Sequence, residues 1–322
     1  MRAIQFTETG GPDVLKLVDI ATPEPRPGQV RVRHDAIGVN FIDTYHRTGL
    51  YPVKLPSTPG GEAAGVVDAV GEGVTRLKVG DRVAYSGGLG AYAEANVIPA
   101  DRAVKVPDGV ETRVAAAALL KGMTVEALLR RTYPVQAGET ILVHAAVGGV
   151  GQIMTQWAKA IGAEVIATVG SEAKAARARE LGADHVILYR EQDVAAEVKR
   201  ITGGKGVPVA YDSVGKDTFD ATLASLARRG LFVSFGNASG PPAPVPPGRL
   251  AQGGSLYLTR PTLFDYIVTT EELDASAGAV FEMIASGQVK IDIGQTFPLA
   301  EARKAHEALE SRATIGASLL IP

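Results

Sequence analysis

The sequence has no cysteine among its 322 residues. Disulfide bridges, thiol nucleophiles and zinc sites built from thiolate ligands are therefore excluded. The histidines lie at positions 34, 46, 144, 185 and 306, and they show no H-x-x-x-H or related ligand spacing. The sequence thus predicts that the protein binds no metal.

Long apolar runs and an excess of one charge are also absent. No apolar run approaches the roughly 20 residues that a membrane-spanning helix needs, and the first residues lack the basic and apolar regions of a signal peptide. The 33 basic and 35 acidic residues are scattered and give a net charge of −2, which disfavours nucleic acid or an anionic membrane as a partner. We expect a cytoplasmic protein that acts on a small molecule.

The chain is long enough for two domains, since one domain has about 150 residues. Between Glu139 and Gly236, short β-branched runs alternate with segments of helical period, which is typical of a doubly wound α/β domain with a parallel sheet. The predicted strands are TILVHA, EVIATV, DHVILY, PVAYDSV and LFVSFG. The predicted helices are centred on QIMTQWAKAIG, EAKAARARELGA, DVAAEVKRIT and DTFDATLASLARRG.

Roughly the first 100 residues have short strand-like runs separated by PGQ, GEG, GG and PDG, which predicts a small β-rich domain. After the parallel strands, SGPPAPVPPG predicts an ordered loop, GSLYLTR a further strand and TTEELDASAGAVFEMIASG a helix. The last segment, FPLAEARKAHEALESRATIGASLLIP, predicts a helix and then a strand that can return to the first domain.

The stretch HAAVGGVG lies where an apolar strand meets a helix. It fits the dinucleotide fingerprint G-x-G-x-x-G except that Ala146 takes the first glycine position, where a methyl group is tolerable if φ stays negative. Glycines here let a pyrophosphate approach the free N–H groups of the helix, although glycine pairs after strands are often only turns. The predicted phosphate loop comprises Ala146, Gly148, Gly149, Val150 and Gly151.

The end of the second parallel strand predicts the choice of cofactor. Enzymes that bind NAD place an acid about 20 residues after the fingerprint, whereas here that region is Thr168–Ser171, which includes Gly170. Lys174 lies one turn further on and can pair with a 2′-phosphate, so NADPH is predicted. Ser171 and Glu172 also fit a helix start, and Lys174 also fits a solvated helix cation.

Two further strand ends are expected at the same edge of the sheet. Ser213 follows the fourth strand, and Phe235 and Gly236 follow the fifth. Their polar atoms and the Phe235 ring are predicted to line the nicotinamide side of the site. Ordinary core packing is the alternative for Phe235.

The segment PGGEAAGVVDAVGEGV, the β-rich first half and AAVGGVG together resemble the medium-chain dehydrogenase/reductase family over the full chain. Zinc-dependent members carry Gly-His-Glu where this chain has Gly60-Gly61-Glu62, so the ligand histidine is missing. Within the family the chain is most similar to the zeta-crystallin-like, NADPH-dependent quinone oxidoreductases, as judged from VNFIDTYHRTGLYP, LKGMTVEALL, YDSVGKDTFD, RRGLFVSFGNASG and ESRATIGASLLIP.

The resemblance implies a GroES-like catalytic domain, residues 1–125 and 267–322, interrupted by an NADP-binding Rossmann domain, residues 126–266, in a homodimer. It implies that Asn40 contacts the nicotinamide ribose or amide and that Thr124 lies beside the nicotinamide. Lys174 and Tyr189 are implied to bracket the 2′-phosphate and adenosine. The remaining implied cofactor residues are Ser213, Phe235 and Arg312.

Two residues of the first domain have alternative interpretations. Asn40 with Asp43 three residues later also fits a helix cap with an acidic partner, like a capping box. Tyr45 is a candidate donor of a hydrogen bond to a substrate carbonyl, and it also fits a half-buried aromatic. An ordinary phenol, with a pKa of about 10, is a poor acid at neutral pH, so solvent is a second candidate for the proton.

The predicted activity is transfer of reducing equivalents from NADPH to a quinone in a cleft between the domains, with Asn40, Tyr45 and Thr124 as catalytic candidates. A quinone takes charge on its own oxygens, so no metal is needed. Reduction of activated C=C bonds in enones or 2-alkenals has the same requirements and remains an alternative. A non-catalytic NADPH-binding protein is the other alternative.

Overall fold

A computed structural model describes residues 1–322. The strands are β1 (Arg2–Gln5), β2 (Lys16–Asp19), β3 (Gln29–Val39), β4 (Glu62–Val70), β5 (Arg82–Ser86), β6 (Ala95–Pro99), β7 (Ala103–Lys105), β8 (Thr140–His144), β9 (Glu164–Val169), β10 (His185–Leu188), β11 (Val207–Asp212), β12 (Leu226–Ser234), β13 (Tyr257–Thr259), β14 (Ile293–Pro298) and β15 (Ala317–Ile321). The helices are α1 (Phe41–Thr48), α2 (Thr112–Glu126), α3 (Gly149–Ile161), α4 (Glu172–Glu180), α5 (Val194–Ile201), α6 (Phe219–Ser225), α7 (Pro247–Gln252), α8 (Thr270–Ala285) and α9 (Ala302–Glu310). None of these helices combines the length and apolar character needed to span a bilayer.

The chain divides into two compact units. The first unit comprises residues 1–123, 267–287 and 291–322, and the second comprises residues 124–266 and 288–290. The second unit is thus inserted into the sequence of the first.

The first unit is built on a seven-stranded sheet in the order β14-β15-β3-β4-β5-β7, with β6 paired to β3. Buried and partly exposed residues alternate along the first half of β3, as expected of a strand with one face on a core. Val30 and Val32 belong to that core together with Phe6, Val67 and Leu320. The predicted return of the last strand is confirmed, because β15 pairs antiparallel with β3 through Leu319 and Gly38.

The second unit is a parallel six-stranded sheet in the order β10-β9-β8-β11-β12-β13, which confirms the predicted doubly wound domain. Strands β8 and β9 are almost entirely buried because helices cover both faces of such a sheet. Strands β9 and β10 lie on one side of β8, whereas β11, β12 and β13 lie on its other side, so the strand order reverses between β8 and β11. In open α/β sheets a ligand binds at this point, outside the carboxyl ends of the strands.

One predicted helix is too long. The segment DTFDATLASLARRG was expected to be helical throughout, but α6 ends at Ser225 and β12 begins at Leu226, which is buried and pairs with Val207. Arg229 then takes a left-handed φ of 61°, and the strand register shifts around it. The chain therefore enters the sheet one turn earlier than its helical pattern suggests, through an irregular stretch in which residues 226–231 lie opposite residues 207–209.

The proline-rich segment is a loop up to Pro246, as predicted, but its end forms the short helix α7, which was not predicted. Pro247 stands at the first helical position, where its fixed φ suits a helix and its missing N–H leaves no bond unmade.

Candidate cofactor and active site

The loop after β8 turns directly into α3. Ala145 has a left-handed φ of 52°, and Gly148, the residue before the helix, has a φ of −74° and provides no side-chain cap. The Gly148 N–H donates to Ala145 O at 3.0 Å, and the Ala146 N–H donates to Thr168 O at 3.4 Å. The first amides of a helix have no partner within it, so an uncapped helix start beside a switch point can bind an anion.

The predicted condition on Ala146 is confirmed. The left-handed residue of the turn is Ala145, and Ala146 does not have a positive φ. Its methyl group is fully buried, so it is accommodated by the fold. Alanine at the first fingerprint position is therefore compatible with the backbone of this loop.

Gly148 and Gly151 have different requirements. A Cβ on Gly151 would collide with the backbone of Ala145 and Ala146, so glycine there lets α3 pack against its own loop. A Cβ on Gly148 would meet only Ala145 O, at an ordinary 3.4 Å. The fold does not require glycine at position 148, which is the fingerprint position where backbone approaches the pyrophosphate.

The end of β9 lies beside an aromatic ring. A Cβ on Gly170 would meet Tyr189 Oη at 2.5 Å, so the ring packs closely over this glycine while 40% of the Tyr189 side chain stays exposed. Ser171 Oγ accepts a hydrogen bond from Lys174 N at 3.4 Å, and Glu172 is exposed in the first turn of α4. The helix-start interpretation of Ser171 is therefore confirmed.

Lys174 has a cationic neighbour that the sequence analysis missed. The pKa of the partly buried Lys174 amine is lowered, mainly by burial and further by the positive charge of Arg190. Arg190 directly follows Tyr189 in the sequence and is exposed. Two cations that repel each other beside an exposed aromatic ring favour a bound dianion, which would relieve the repulsion.

The ends of β11 and β12 are in direct contact. A Cβ on Gly236 would meet Ser213 Cα at 2.8 Å, and the Phe235 N–H donates to Asp212 O at 2.8 Å. Phe235 is partly exposed. The structure therefore brings the predicted residues Ser213, Phe235 and Gly236 together at one edge of the sheet.

Asp212 stabilises this edge through contacts that were not predicted from the sequence. Its buried carboxylate accepts hydrogen bonds from the amides of Val214 and Gly215 at 2.6 and 3.1 Å, and from Thr218 Oγ1 at 2.6 Å. An aspartate that accepts from the amide two residues later is a common turn signal, and that signal was available in the sequence.

Asn40 lies in the first unit, between β3 and α1. Its side-chain amide donates to Glu62 Oε2 at 2.9 Å and to Gly38 O at 3.3 Å. Glu62 is fully buried and binds Lys121 Nζ at 2.8 Å. A Cβ on Gly38 would collide with the Glu62 carboxylate, so glycine makes room for it. A buried ion pair thus holds the Asn40 side chain in one orientation.

The helix-cap interpretation of Asn40 is also confirmed. Asp43 Oδ2 accepts a hydrogen bond from Asn40 N at 2.9 Å, the return bond of a capping box. Burial raises the pKa of the Asp43 carboxyl to about 7, against the lowering effect of hydrogen bonds from Asn40 and Tyr92. This return bond uses only the backbone N–H of Asn40, and the side-chain amide of Asn40 keeps its bonds to Glu62 and Gly38.

The other predicted residues are placed as follows. Tyr45 is 9% exposed, more buried than expected, and its ring packs edge-on against Tyr51 at 5.3 Å between centroids. Arg312 is exposed in the first unit with a left-handed φ of 56°, and Thr124 is partly exposed on α2 at the start of the second unit. No three His, Cys, Asp or Glu side chains are grouped in a way that can hold a metal ion.

The chain matches two families of known domains. Residues 26–108 match the alcohol dehydrogenase GroES-like domain, and residues 149–282 match the zinc-binding dehydrogenase domain. These two matches fall in the first and second structural units respectively, except that the second match runs into α8 of the first unit.

Full-length relatives give a more specific comparison. The chain is 55% identical to a quinone oxidoreductase of Salmonella typhimurium, over 99% of both chains. It is 52% identical to the Escherichia coli quinone oxidoreductase whose structure was solved with NADPH, with a TM-score of 0.98 and complete coverage of both chains. A 2-haloacrylate reductase of Burkholderia is 44% identical over 97% of this chain and 96% of its own.

Proposed function

The chain belongs to the medium-chain dehydrogenase/reductase family, among its quinone oxidoreductases, and on this basis we propose that it transfers a hydride from NADPH to a quinone without a metal. The full-length identity with quinone oxidoreductases, one of them solved with NADPH, is the observation on which this conclusion depends.

The second unit has residues that fit each part of NADPH. The amides at the start of α3 and the open position at Gly148 fit a pyrophosphate. Lys174 and Arg190 fit the 2′-phosphate, and the exposed Tyr189 ring fits the adenine. We assign the nicotinamide to the edge formed by the ends of β11 and β12.

Bound NADPH would supply a hydride from its reduced nicotinamide ring. A quinone that accepts this hydride and one proton becomes a hydroquinone, and its own carbonyl oxygens take up the charge. The work of this chain is then to orient the reactants and exclude water. We assign Asn40 to the nicotinamide ribose or amide, Tyr45 to a hydrogen bond with the quinone carbonyl, and Thr124 and Arg312 to the cofactor.

Removal of metals is expected to leave kcat and KM unchanged. No acidic, histidine or cysteine cluster is placed to bind an ion, and Gly61 occupies the position of the ligand histidine. Initial rates measured after dialysis against EDTA, with residual metal quantified by mass spectrometry, check this expectation. Loss of activity that zinc restores would contradict it.

Reduction of an activated C=C bond is a second candidate function, because a 2-haloacrylate reductase is 44% identical over nearly the whole chain. Anaerobic oxidation of NADPH with matched quinones and enones separates the two candidates. We expect kcat/KM to be higher for quinones. A value at least about tenfold higher for enones, equivalent to 1.4 kcal/mol in transition-state binding, would overturn the assignment. Saturable NADPH binding without turnover of any substrate would indicate a binding protein instead.

We further propose that the protein is a cytoplasmic homodimer. Apart from the second subunit, we expect its partners to be small electrophiles. Strand β13 ends the sheet of the second unit, so its outer edge has no partner within the chain. Its first residue, Tyr257, is 60% exposed. An unpaired edge with an exposed aromatic residue is suited to pairing with a second copy of the same strand.

A further inference from the structure

The first unit contains two buried pairs of a tyrosine and a histidine. Tyr85 Oη lies 3.0 Å from His34 Nε2, and Tyr92 Oη lies 3.0 Å from His306 Nε2. All four side chains are at most 3% exposed. The two pairs look equivalent, but their hydrogen bonds run in opposite directions and end at different groups.

The pair of Tyr85 and His34 ends at the backbone. His34 Nδ1 lies 2.7 Å from Ala93 O, and a carbonyl oxygen only accepts, so Nδ1 carries the ring proton. His34 Nε2 therefore accepts from the Tyr85 hydroxyl. Tyr85 Oη in turn accepts from Asn96 Nδ2 at 3.2 Å. This pair stabilises the fold locally, and its hydrogen bonds do not extend to Asn40.

The pair of Tyr92 and His306 has the opposite polarity. Arg47 Nη1 lies 3.1 Å from His306 Nδ1, and a guanidinium only donates, so His306 Nδ1 accepts and Nε2 carries the proton. His306 thus donates to Tyr92 Oη, and the Tyr92 hydroxyl donates to Asp43 Oδ2 at 2.9 Å. Burial and the charge of Arg47 lower the pKa of His306 to about 3, so the ring stays neutral.

Arg47 is anchored firmly enough to set this polarity. Its guanidinium makes two bonds to the Glu310 carboxylate, at 2.7 and 3.0 Å, and one to Gly10 O at 3.0 Å, and its side chain is only 1% exposed. These contacts form one series of hydrogen bonds, which runs from Glu310 through Arg47, His306 and Tyr92 to Asp43. Glu310 is partly exposed, so the series begins at the surface of the first unit.

The series ends at Asn40. Asp43 Oδ2 accepts from both Tyr92 Oη and Asn40 N, whereas Asp43 Oδ1 is buried without a partner. The orientation of this carboxylate therefore depends on those two donors. The other charged groups that act on it, Glu62 and Lys121, form the ion pair that holds the Asn40 side chain.

We propose that Tyr92 and His306 are positioning residues for the reaction: acting through Asp43, they fix the orientation in which Asn40 meets the cofactor. This inference rests on the proposed role of Asn40 at the nicotinamide. It assigns a function to a histidine that lies 266 positions away from Asn40 in the sequence.

Tyr92→Phe tests the inference by removing a single oxygen. We expect kcat to fall by about 10- to 100-fold, the range for a slightly misplaced reacting group, with little change in the Kd of NADPH, because the phosphate contacts in the second unit are untouched. Tyr85→Phe is the matched control, since it removes the same atom from the other buried pair. We expect Tyr85→Phe to lower Tm but to leave kcat within about twofold.

Variants of His306 test the proposal independently, even if the Tyr92→Phe variant does not fold. A glutamine at position 306 can still donate to Tyr92, whereas a leucine of similar size cannot. We expect His306→Leu to lower kcat as Tyr92→Phe does. We expect His306→Gln to keep most of the wild-type kcat, with a Tm similar to that of His306→Leu. Equal kcat values for the two variants would contradict the proposal.

A double-mutant cycle identifies the route of the effect. If Tyr92 acts through Asn40, Tyr92→Phe has little further effect on kcat in the Asn40→Ala background. A full effect in that background, or none in the wild type, would overturn the proposal. The proposed function fails by a different result, namely that the wild-type enzyme does not reduce quinones with NADPH; the cycle is then run with the acceptor that it does reduce.

Discussion

Valine in place of Gly148 is expected to abolish NADPH binding while the protein stays folded. The φ of −74° suits any residue, and a Cβ there meets nothing in the fold closer than Ala145 O at 3.4 Å. The branched side chain would instead occupy the space through which a pyrophosphate reaches the amides of α3. Loss of two charge-assisted bonds costs roughly 3–6 kcal/mol, so Kd should rise by at least about 100-fold. Fluorescence titration with NADPH measures Kd, and thermal unfolding measures Tm.

Gly151→Ala provides the contrast. Its Cβ would collide with backbone at Ala145 and Ala146, so this smaller change should lower Tm as well as affinity. The combination that supports the assignment is a stable Gly148 variant without binding and a destabilised Gly151 variant. A folded Gly148→Val protein with wild-type affinity would show that the pyrophosphate binds elsewhere.

Combined substitution of Lys174 and Arg190 by alanine is expected to remove the preference for NADPH over NADH. One shielded charge-assisted contact is worth roughly 1.5–3 kcal/mol, or about 10- to 150-fold in affinity. The Lys174 variant should therefore weaken NADPH binding within that range, the variant of the exposed Arg190 should weaken it less, and the double variant should weaken it more than either. NADH affinity should stay nearly unchanged, because NADH has no 2′-phosphate. Calorimetric titration of both cofactors measures the ratio.

Arg179→Ala is the matched control, since it removes one positive charge from the exposed part of the same helix α4. Added salt should reduce the NADPH preference of the wild type more than that of the double variant. Equal weakening of NADPH and NADH would place these cations on a phosphate that both cofactors share. A wild-type preference for NADH would show that Glu172 binds the ribose.

The sequence was most informative where local pattern decides structure. The five buried runs from TILVHA to LFVSFG predicted the parallel strands correctly, because a strand covered on both faces must be apolar throughout. The positions of Ser213 and Gly236 at one sheet edge followed from topology alone, since the carboxyl ends of parallel strands lie together. The helix cap at Asn40 followed from its spacing to Asp43.

What could not be predicted depends on tertiary contacts. Glu62 was part of a recognised motif, but nothing local shows that it is fully buried against Lys121, 59 positions later. The same holds for Arg47 and His306, whose bond exists only once α1 and α9 have packed together. The end of α6 was missed because Leu226 fits a helix as well as a strand until its pairing with Val207 is known.

The order of the strands also determines when the first unit can complete its folding during synthesis. Strand β15 pairs with Ile37, Gly38 and Val39, the residues directly before Asn40, and it is made after the whole second unit. The ribosome thus produces a nucleotide-binding unit that can complete its own sheet while β3 still has an unpaired stretch of edge. Such an edge invites pairing with other nascent chains. The segment that places Asn40 is therefore the last part of β3 to be paired on both of its edges.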